Sequence, residues 1–168
     1  MKSIAFIEDT IVKRVEAWVK DVVLFTGAKN LRGEKLISTP HVYRGFLPIR
    51  MTGEIDASLP KKFPCIVVQT MKGHYDFYSG QAEVRMMVDC WDNSDDLSGY
   101  QDVVNVIEVL KDNLYVERHI ADEFPLAGPV SWGLQQGAEL APTFWGGLTV
   151  TLDVETPSSR FDAMLHGG

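Results

Sequence analysis

Four histidines and two cysteines are the side chains of this sequence best suited to ligate a metal or move a proton, and their spacing gathers none of them. His41, His74, His119 and His166 are spread along the chain outside any H-E-x-x-H or H-x-E context, so each reads as a surface or loop histidine. Cys65 and Cys90 lie inside apolar, strand-like runs. A zinc site wants four ligands at short spacing, so both read as reduced, buried small hydrophobes. No G-x-S-x-G nucleophile elbow and no G-x-x-x-x-G-K-S/T phosphate loop occurs. Gly146-Gly147, after Trp145, opens a strand, whereas a phosphate loop presents its N–H groups at a helix N-terminus; a turn or close packing is the better reading. The acidic cluster Asp89, Asp92, Asp95 and Asp96 lacks the Gly and Glu of a calcium loop. It reads as a solvated loop whose charge favours the helix that follows. The residues therefore predict no catalytic site, no metal and no cofactor, hence a protein that is not an enzyme.

What remains is suited to contact. The loop His74-Tyr75-Asp76-Phe77-Tyr78 and the pair Phe144-Trp145 are aromatic-rich, and exposed aromatics anchor protein interfaces. The plainer alternative is that they cap the ends of a sheet. With Trp18 and Phe25, the candidate interface residues are Tyr75, Phe77, Tyr78, Phe144, Trp145, Trp18 and Phe25.

The elements that must position these residues follow from periodicity. Ile4, Ile7, Ile11, Val15, Trp18, Val22 and Phe25 recur at steps of three or four, predicting a long amphipathic helix over 4–26, with Ser3 as N-cap and Gly27 as stop. Val12, Val19 and Val23 widen its apolar face, which must pack on the chain's own sheet, a neighbouring subunit, or both. Residues 28–40 read as a connector. A strand is predicted over 41–47, stopped by Pro48, and 50–61 read as a polar loop. Residues 63–69 form a continuous β-branched run of the kind buried on both faces, with Pro64 tolerated only at its start. A turn is predicted over 72–80. Ala82, Val84, Met86, Val88 and Cys90 then alternate with Gln81, Glu83, Arg85, Met87 and Asp89 in the clearest strand of the chain.

A second helix is predicted from Ser98, in capping-box spacing with Gln101, to about Leu114, with Val103, Val106, Ile107, Leu110 and Leu114 on its apolar face. Two more strands follow: Val130, Trp132 and Leu134 alternate with Ser131, Gly133 and Gln135, and Leu148, Val150, Leu152 and Val154 alternate with Thr149, Thr151, Asp153 and Glu155. The predicted class is α+β, in the order α-β-β-β-α-β-β: a mainly antiparallel sheet of four to five strands packed by two helices. The domain is expected over 1–157. The tail 158–168, with Phe161, Met164 and Leu165 as its anchors, is expected to be mobile or docked on a partner.

The bulk numbers agree with one globular domain. The chain has 168 residues, 45% hydrophobic and 23% charged. A domain of that length buries roughly 70% of its unfolded surface without a staple. No signal peptide or membrane span is read, which predicts a cytosol-like compartment. The net charge of -7, from 23 acidic against 16 basic residues, argues against a surface built to grip nucleic acid.

From about residue 41 to 157 the chain resembles the tail terminator, or tail completion, proteins of long-tailed bacteriophages and their prophage relatives. Val42-Tyr43-Arg44-Gly45-Phe46-Leu47-Pro48 is similar to the strand that family places before a variable loop, and Phe63-Pro64-Cys65-Ile66-Val67-Val68 resembles its F-P-x-I-x-V strand. Val84-Arg85-Met86-Met87-Val88, the acidic loop, and Gly99-Tyr100-Gln101-Asp102-Val103 with Asn105 resemble its strand, acidic loop and G-Y/W-x-D-x-x-N helix start. Phe124-Pro125-Leu126 and Trp132 look like its fourth strand, and Pro142-Thr143-Phe144-Trp145-Gly146-Gly147-Leu148-Thr149-Val150 resembles its P-x-x-W-x-G strand.

The resemblance implies a small subunit that closes into a homo-oligomeric ring, usually a hexamer. The ring caps the finished tail tube at the tail–head junction of the virion, after assembly in the host cytoplasm. Its implied partners are other copies of itself, the tail tube protein, a head-completion or neck protein and, in tails that have one, the sheath. DNA would pass through the lumen without specific binding, and an acidic lumen would avoid trapping it. Two alternatives stand beside this reading: another neck or head–tail joining protein, and, more distantly, a small enzyme acting on a phosphate or sugar. Because no ligand set is complete in the sequence, melting is expected to be the same with and without a chelator, and a lower melting temperature on chelation would reveal a metal site.

Overall fold

The computed structural model describes residues 2–47, 62–76, 79–92, 98–137, 142–155 and Leu165. Among these residues, two helices and nine strands follow in the order α1 (Ile4–Val19), β1 (Leu24–Lys29), β2 (Lys35–Ser38), β3 (His41–Arg44), β4 (Cys65–Tyr75), β5 (Gly80–Trp91), α2 (Ser98–Glu117), β6 (His119–Ile120), β7 (Phe124–Pro125), β8 (Ser131–Leu134) and β9 (Thr143–Asp153). The class is α+β, as the periodicities predict. The main sheet has five strands in the order β3-β4-β5-β9-β8. All its pairings are antiparallel except β3 with β4. That parallel pairing is possible because the connection spans residues 45–64, longer than the roughly dozen residues a crossover needs.

β5 is the central strand. It pairs with β4 from Cys65↔Asp89 to Tyr75↔Gly80 and with β9 from Gln81↔Asp153 to Trp91↔Thr143. Its alternation divides the sheet as the sequence predicts: Ala82, Val84, Met86, Val88 and Cys90 are all buried. They meet Leu148, Val150 and Leu152 from β9, Ile66 and Val68 from β4, and the apolar faces of both helices in one core cluster. α1 contributes Ile7, Ile11, Val15 and Val19, each four residues after the last; α2 contributes Val103, Val106, Ile107, Leu110 and Leu114. The helices also contact each other and lie on the same side of the sheet. The opposite side carries no helix among the described residues.

α1 is shorter than the predicted 4–26. Ser3 caps its start, its Oγ accepting from the Phe6 N–H at 3.2 Å, but the helix ends at Val19. Phe25 and Gly27 lie in β1, which pairs with β2 inside the segment expected to be a connector: Leu24↔Ser38, Phe25↔Ile37 and Lys29↔Lys35. Val22-Val23-Leu24-Phe25 is a run that a helical stripe and a strand accommodate equally, and its β-branched content suits a strand once a partner is present. The partner is set up by a turn: Asn30 Oδ1 accepts from the N–H groups of Arg32 (2.8 Å) and Glu34 (3.0 Å), and Gly33 supplies a φ of +78°. Leu24, rather than Val22 or Phe25, enters the core. The expected turn over 72–80 is also tighter than predicted, because β4 runs on to Tyr75 and β5 begins at Gly80. The described part of the connection is held by Asp76, whose side chain accepts from the Ser79 N–H (2.6 Å) and Oγ (3.0 Å).

Only Cys65–Val68 of β4 pair with β3, so among the described residues the later part of β4 forms a sheet edge. The register slips between Thr70 and Lys72, and Glu8 on α1 accepts from the Thr70 N–H at 2.8 Å. A second tie joins the two helices. Arg14 Nε donates to Glu117 Oε2 at 2.9 Å, Arg14 Nη2 donates to Oε1, and the Trp18 Nε1–H donates to Oε1 at 2.8 Å. The hydrogen bond from Arg14 holds the Glu117 carboxyl below its ordinary pKa. No helix among the described residues is long and apolar enough to cross a membrane. The predicted loop 50–61 and the tail, apart from Leu165, fall outside the described residues; Leu165 is exposed.

The start of α2 is fixed by Asp92. Its Oδ2 accepts from both the Ser98 hydroxyl and the Gly99 N–H at 2.7 Å, while its own N–H donates to the Pro142 carbonyl at 2.9 Å. The helix is therefore capped by a carboxylate from the end of β5, and the Gln101 amide donates instead to Asn105 Oδ1 at 3.0 Å. A Cβ on Gly99 would stand 2.7 Å from Phe144 Cδ2 and 2.8 Å from Asp92 Cβ. Gly99→Ala is expected to destabilise the chain by about 1–3 kcal/mol, the usual range for overpacking. Gly133→Ala, with nothing within 4 Å of its added methyl, should change stability little. Urea unfolding of the two variants checks both.

Candidate interaction surface

Residues paired across a ladder share a face, so the side of the main sheet away from the helices can be read from the register. β3 contributes Tyr43; β4 contributes Cys65, Val67 and Gln69; β5 contributes Glu83, Arg85, Met87, Asp89 and Trp91; β9 contributes Thr143, Trp145, Gly147, Thr149 and Thr151. Near β3 this face is closed: Cys65 and Val67 are buried, and Phe63 packs on Trp91 with ring centroids 5.9 Å apart. Across β5 and β9 it is half-exposed, including Met87, Trp91 and Trp145. A Cβ on Gly147 would lie 3.0 Å from Met87 Sδ, so the glycine leaves room for the methionine. Gly146, on the other face, leaves room for Ile107 and Leu134. Close packing within a strand, and not a turn, is what the glycine pair supplies.

Three ionisable groups lie along this face of β5: Glu83, paired with Lys72 at 3.3 Å, Arg85 and Asp89. Arg85 Nη2 donates to Gln69 Oε1 at 3.2 Å, but its buried Nε has no hydrogen-bond partner. Two turns of the pleat further on, burial pushes the Asp89 carboxyl up to about 6. The thiols of Cys65 and Cys90 are likewise pushed up by burial, which leaves them unreactive. Among the described residues no group of three or more His, Cys, Asp or Glu is placed to hold a metal ion.

The structure separates the residues singled out in the sequence. Tyr75 is 40% exposed at the far end of β4. Phe77 and Tyr78 lie outside the described residues. Trp145 is half-buried on the open face. Phe144 is a correction: the alternation of β9 turns it inward to 2% exposure against the start of α2, so it belongs to the core and offers no surface. Trp18 is half-buried, with its N–H already engaged by Glu117. Phe25 is no longer on a helical stripe; it is half-buried on β1 beneath the Lys35 ammonium, 4.7 Å from its ring centroid. These residues do not form one patch. Asp92, read as part of a solvated loop, is buried and serves as a cap; Asp95 and Asp96 lie outside the described residues.

The sequence reading missed the hairpin of β1 and β2. Leu31, Leu36 and Ile37 on it are exposed, Leu31 fully. Asn30 and Gly33, with apolar residues on either side, were the available signal. A cleft of about 210 Å³ opens at the other end of the sheet, lined by Lys72, Gly73, His74, Gln81, Glu83 and Thr151. A larger one, about 400 Å³, lies between the end of α1 and β3, lined by Glu16, Val19, Lys20, Thr39, Pro40, His41, Val42 and Tyr43. No protein-family model and no curated protein matches the chain.

Burial favours the protonated form of Asp89. Between the ordinary value of 3.8 and about 6, the folded chain holds a proton that the unfolded chain has released, so stability falls as pH rises through that window. Asp89→Asn is therefore expected to be more stable than the parent at about pH 8, by about 1–2 kcal/mol after allowance for the half-exposed position, and equal to it below about pH 4. Thermal melts of both chains across that range check the sign.

Proposed function

We propose that this chain is a structural virion protein, a bacteriophage tail terminator whose copies form a ring, hexameric by the family resemblance, that caps the tail tube and offers the head a docking face. The observation that carries the reading is the one-sided sheet. Among the described residues, helices, hairpin and the main core cluster occupy one side, while the other, buried near β3, presents half-exposed Met87, Trp91 and Trp145 beside threonines, Glu83, Arg85 and Asp89 across β5 and β9. Partly covered aromatic and methionine side chains on a stiff frame suit contact with another protein. The ordered segments from Val42 to Val150 that resemble the family fall on β3, β4, β5, α2, β7, β8 and β9, so they follow the frame of the main sheet and its helix.

A ring cap acts by covering the growing end of a tube, where the next tube ring would otherwise add. One side of the ring must match the tube subunit and the other must refuse it. The partners in this reading are further copies of the chain, the tail tube protein, a head-completion or neck protein and, where a tail has one, the sheath; DNA passes through the lumen unread.

Deletion of the gene in the producing phage, followed by imaging of the lysate, tests the role. Filled heads lying apart from tails, some of them overlong, are expected. Normal joined particles would sink the proposal, and tails of correct length beside unjoined heads would favour a neck protein instead.

A further inference from the structure

The hairpin of β1 and β2 stands at one end of β5 and an acidic surface stands at the other. The first placement follows from α2, whose start is capped by Asp92 directly after β5; β1 contacts both β5 and α2, and the Phe25 backbone amide favours the charged form of Asp102 on the first turns of that helix. The second follows from the register, which sets Gln81 opposite Asp153 and Glu83 opposite Thr151 at the start of β5. With 12 residues in β5, the two ends are about 36 Å apart.

The two ends are complementary. In a chain of net charge -7, the hairpin carries Lys29, Arg32 and Lys35 against Glu34 alone. No ion pair among the described residues engages Lys29 or Arg32. Its apolar side chains Leu31, Leu36 and Ile37 are exposed, which for a water-facing loop is unfavourable unless something covers them. The opposite end carries Asp76, Glu83, Asp153 and Glu155; Lys72, the one lysine among its described residues, pairs with Glu83 at 3.3 Å, so the acidic excess is carried by Asp76, Asp153 and Glu155. Between these charges lies the cleft of about 210 Å³, where Gly73 contributes no side chain between Lys72 and His74. It has room for one aliphatic side chain.

We propose that the hairpin of one copy docks on the acidic end of the sheet of a second copy, with Leu31 seated in the cleft formed by Lys72, His74, Gln81, Glu83 and Thr151, and with Arg32 facing Asp153. The proposal rests on the ring reading for its choice of occupant and adds which surfaces meet. A contact between two different surfaces is head-to-tail, and repetition of such a contact generates a ring when the rotation closes. Opposite charges at the rim steer the approach and fix its register, while the leucine supplies the apolar centre.

The test places one cysteine on each surface, Lys29→Cys beside the retained Leu31 and Thr151→Cys in the same chain, and treats the protein with a short bis-maleimide. The native Cys65 and Cys90 are buried and stay out of the reaction. A ladder of cross-linked species extending beyond two copies is expected. It should be lost when Arg32→Glu is added and regained when Asp153→Arg accompanies it. Light scattering on the parent chain is run in parallel. A product that stops at two copies, or a ladder indifferent to the charge reversal, overturns the proposed contact. Absence of cross-linking in the double-cysteine chain, when the parent scatters as an oligomer, also overturns it, while leaving the ring reading intact. Absence of cross-linking in the double-cysteine chain, when the parent stays monomeric at every concentration, overturns both the contact and a stable free ring.

Discussion

The alternation of β5 is the constraint on which the other elements depend. Five of its apolar side chains are buried in the core cluster, and each is flanked by a residue that cannot follow it inward: Gln81, Glu83, Arg85, Asp89. A shift of one position in register would carry those polar groups into the core and bring out Val84, Met86 and Val88, a loss of several large side chains' burial at about 1.5–3 kcal/mol each. With β5 so fixed, β4 and β9 are set on its two sides, and the helices have only one apolar face to cover. Asp92 extends the same control into α2, since the carboxylate that begins the helix sits at the end of the strand. Sheet register and helix placement are thus coupled through a single buried side chain.

That coupling explains which features were legible in the sequence. β5, α2 and β9 combine a clean period with distinct polar partners, and the apolar residues their periodicity marks are buried, although β9 starts earlier than predicted and buries Phe144 as well. Class and main-sheet strand number follow from them. The segment 20–29 was not legible, because Val22, Val23 and Phe25 fit a helical stripe as well as a strand, and the choice was made by pairing with residues 35–38. Pairing partners are a tertiary property, and local periodicity carries no record of them.

The contact residues were harder to read. Composition marks an aromatic as a candidate anchor, but whether it faces inward depends on strand phase. Phe144 and Trp145 are neighbours with opposite fates: one fills the space that Gly99 leaves at the start of α2, the other lies on the open face. The phase was available in the alternation of Leu148, Val150 and Leu152, which, continued backwards, points Phe144 inward. The exposed apolar residues of the hairpin were obscured for a different reason: a short polar turn at Asn30–Gly33 reads as linker until the strands on either side are seen to pair.

The edge left by β4 beyond Val68 has a consequence for how such a chain can associate. A bare edge accepts any extended segment by backbone hydrogen bonding, without regard to sequence, and chains joined that way grow without limit. Here the slip between Thr70 and Lys72 breaks the regular spacing of outward-facing backbone groups, and the Glu8 carboxylate occupies the Thr70 N–H. A would-be extra strand meets an irregular, partly occupied, charged rim. Recognition is thereby left to side chains, whose shape and charge can tell one partner from another, and promiscuous fibre growth is discouraged even where copies of the chain are crowded together.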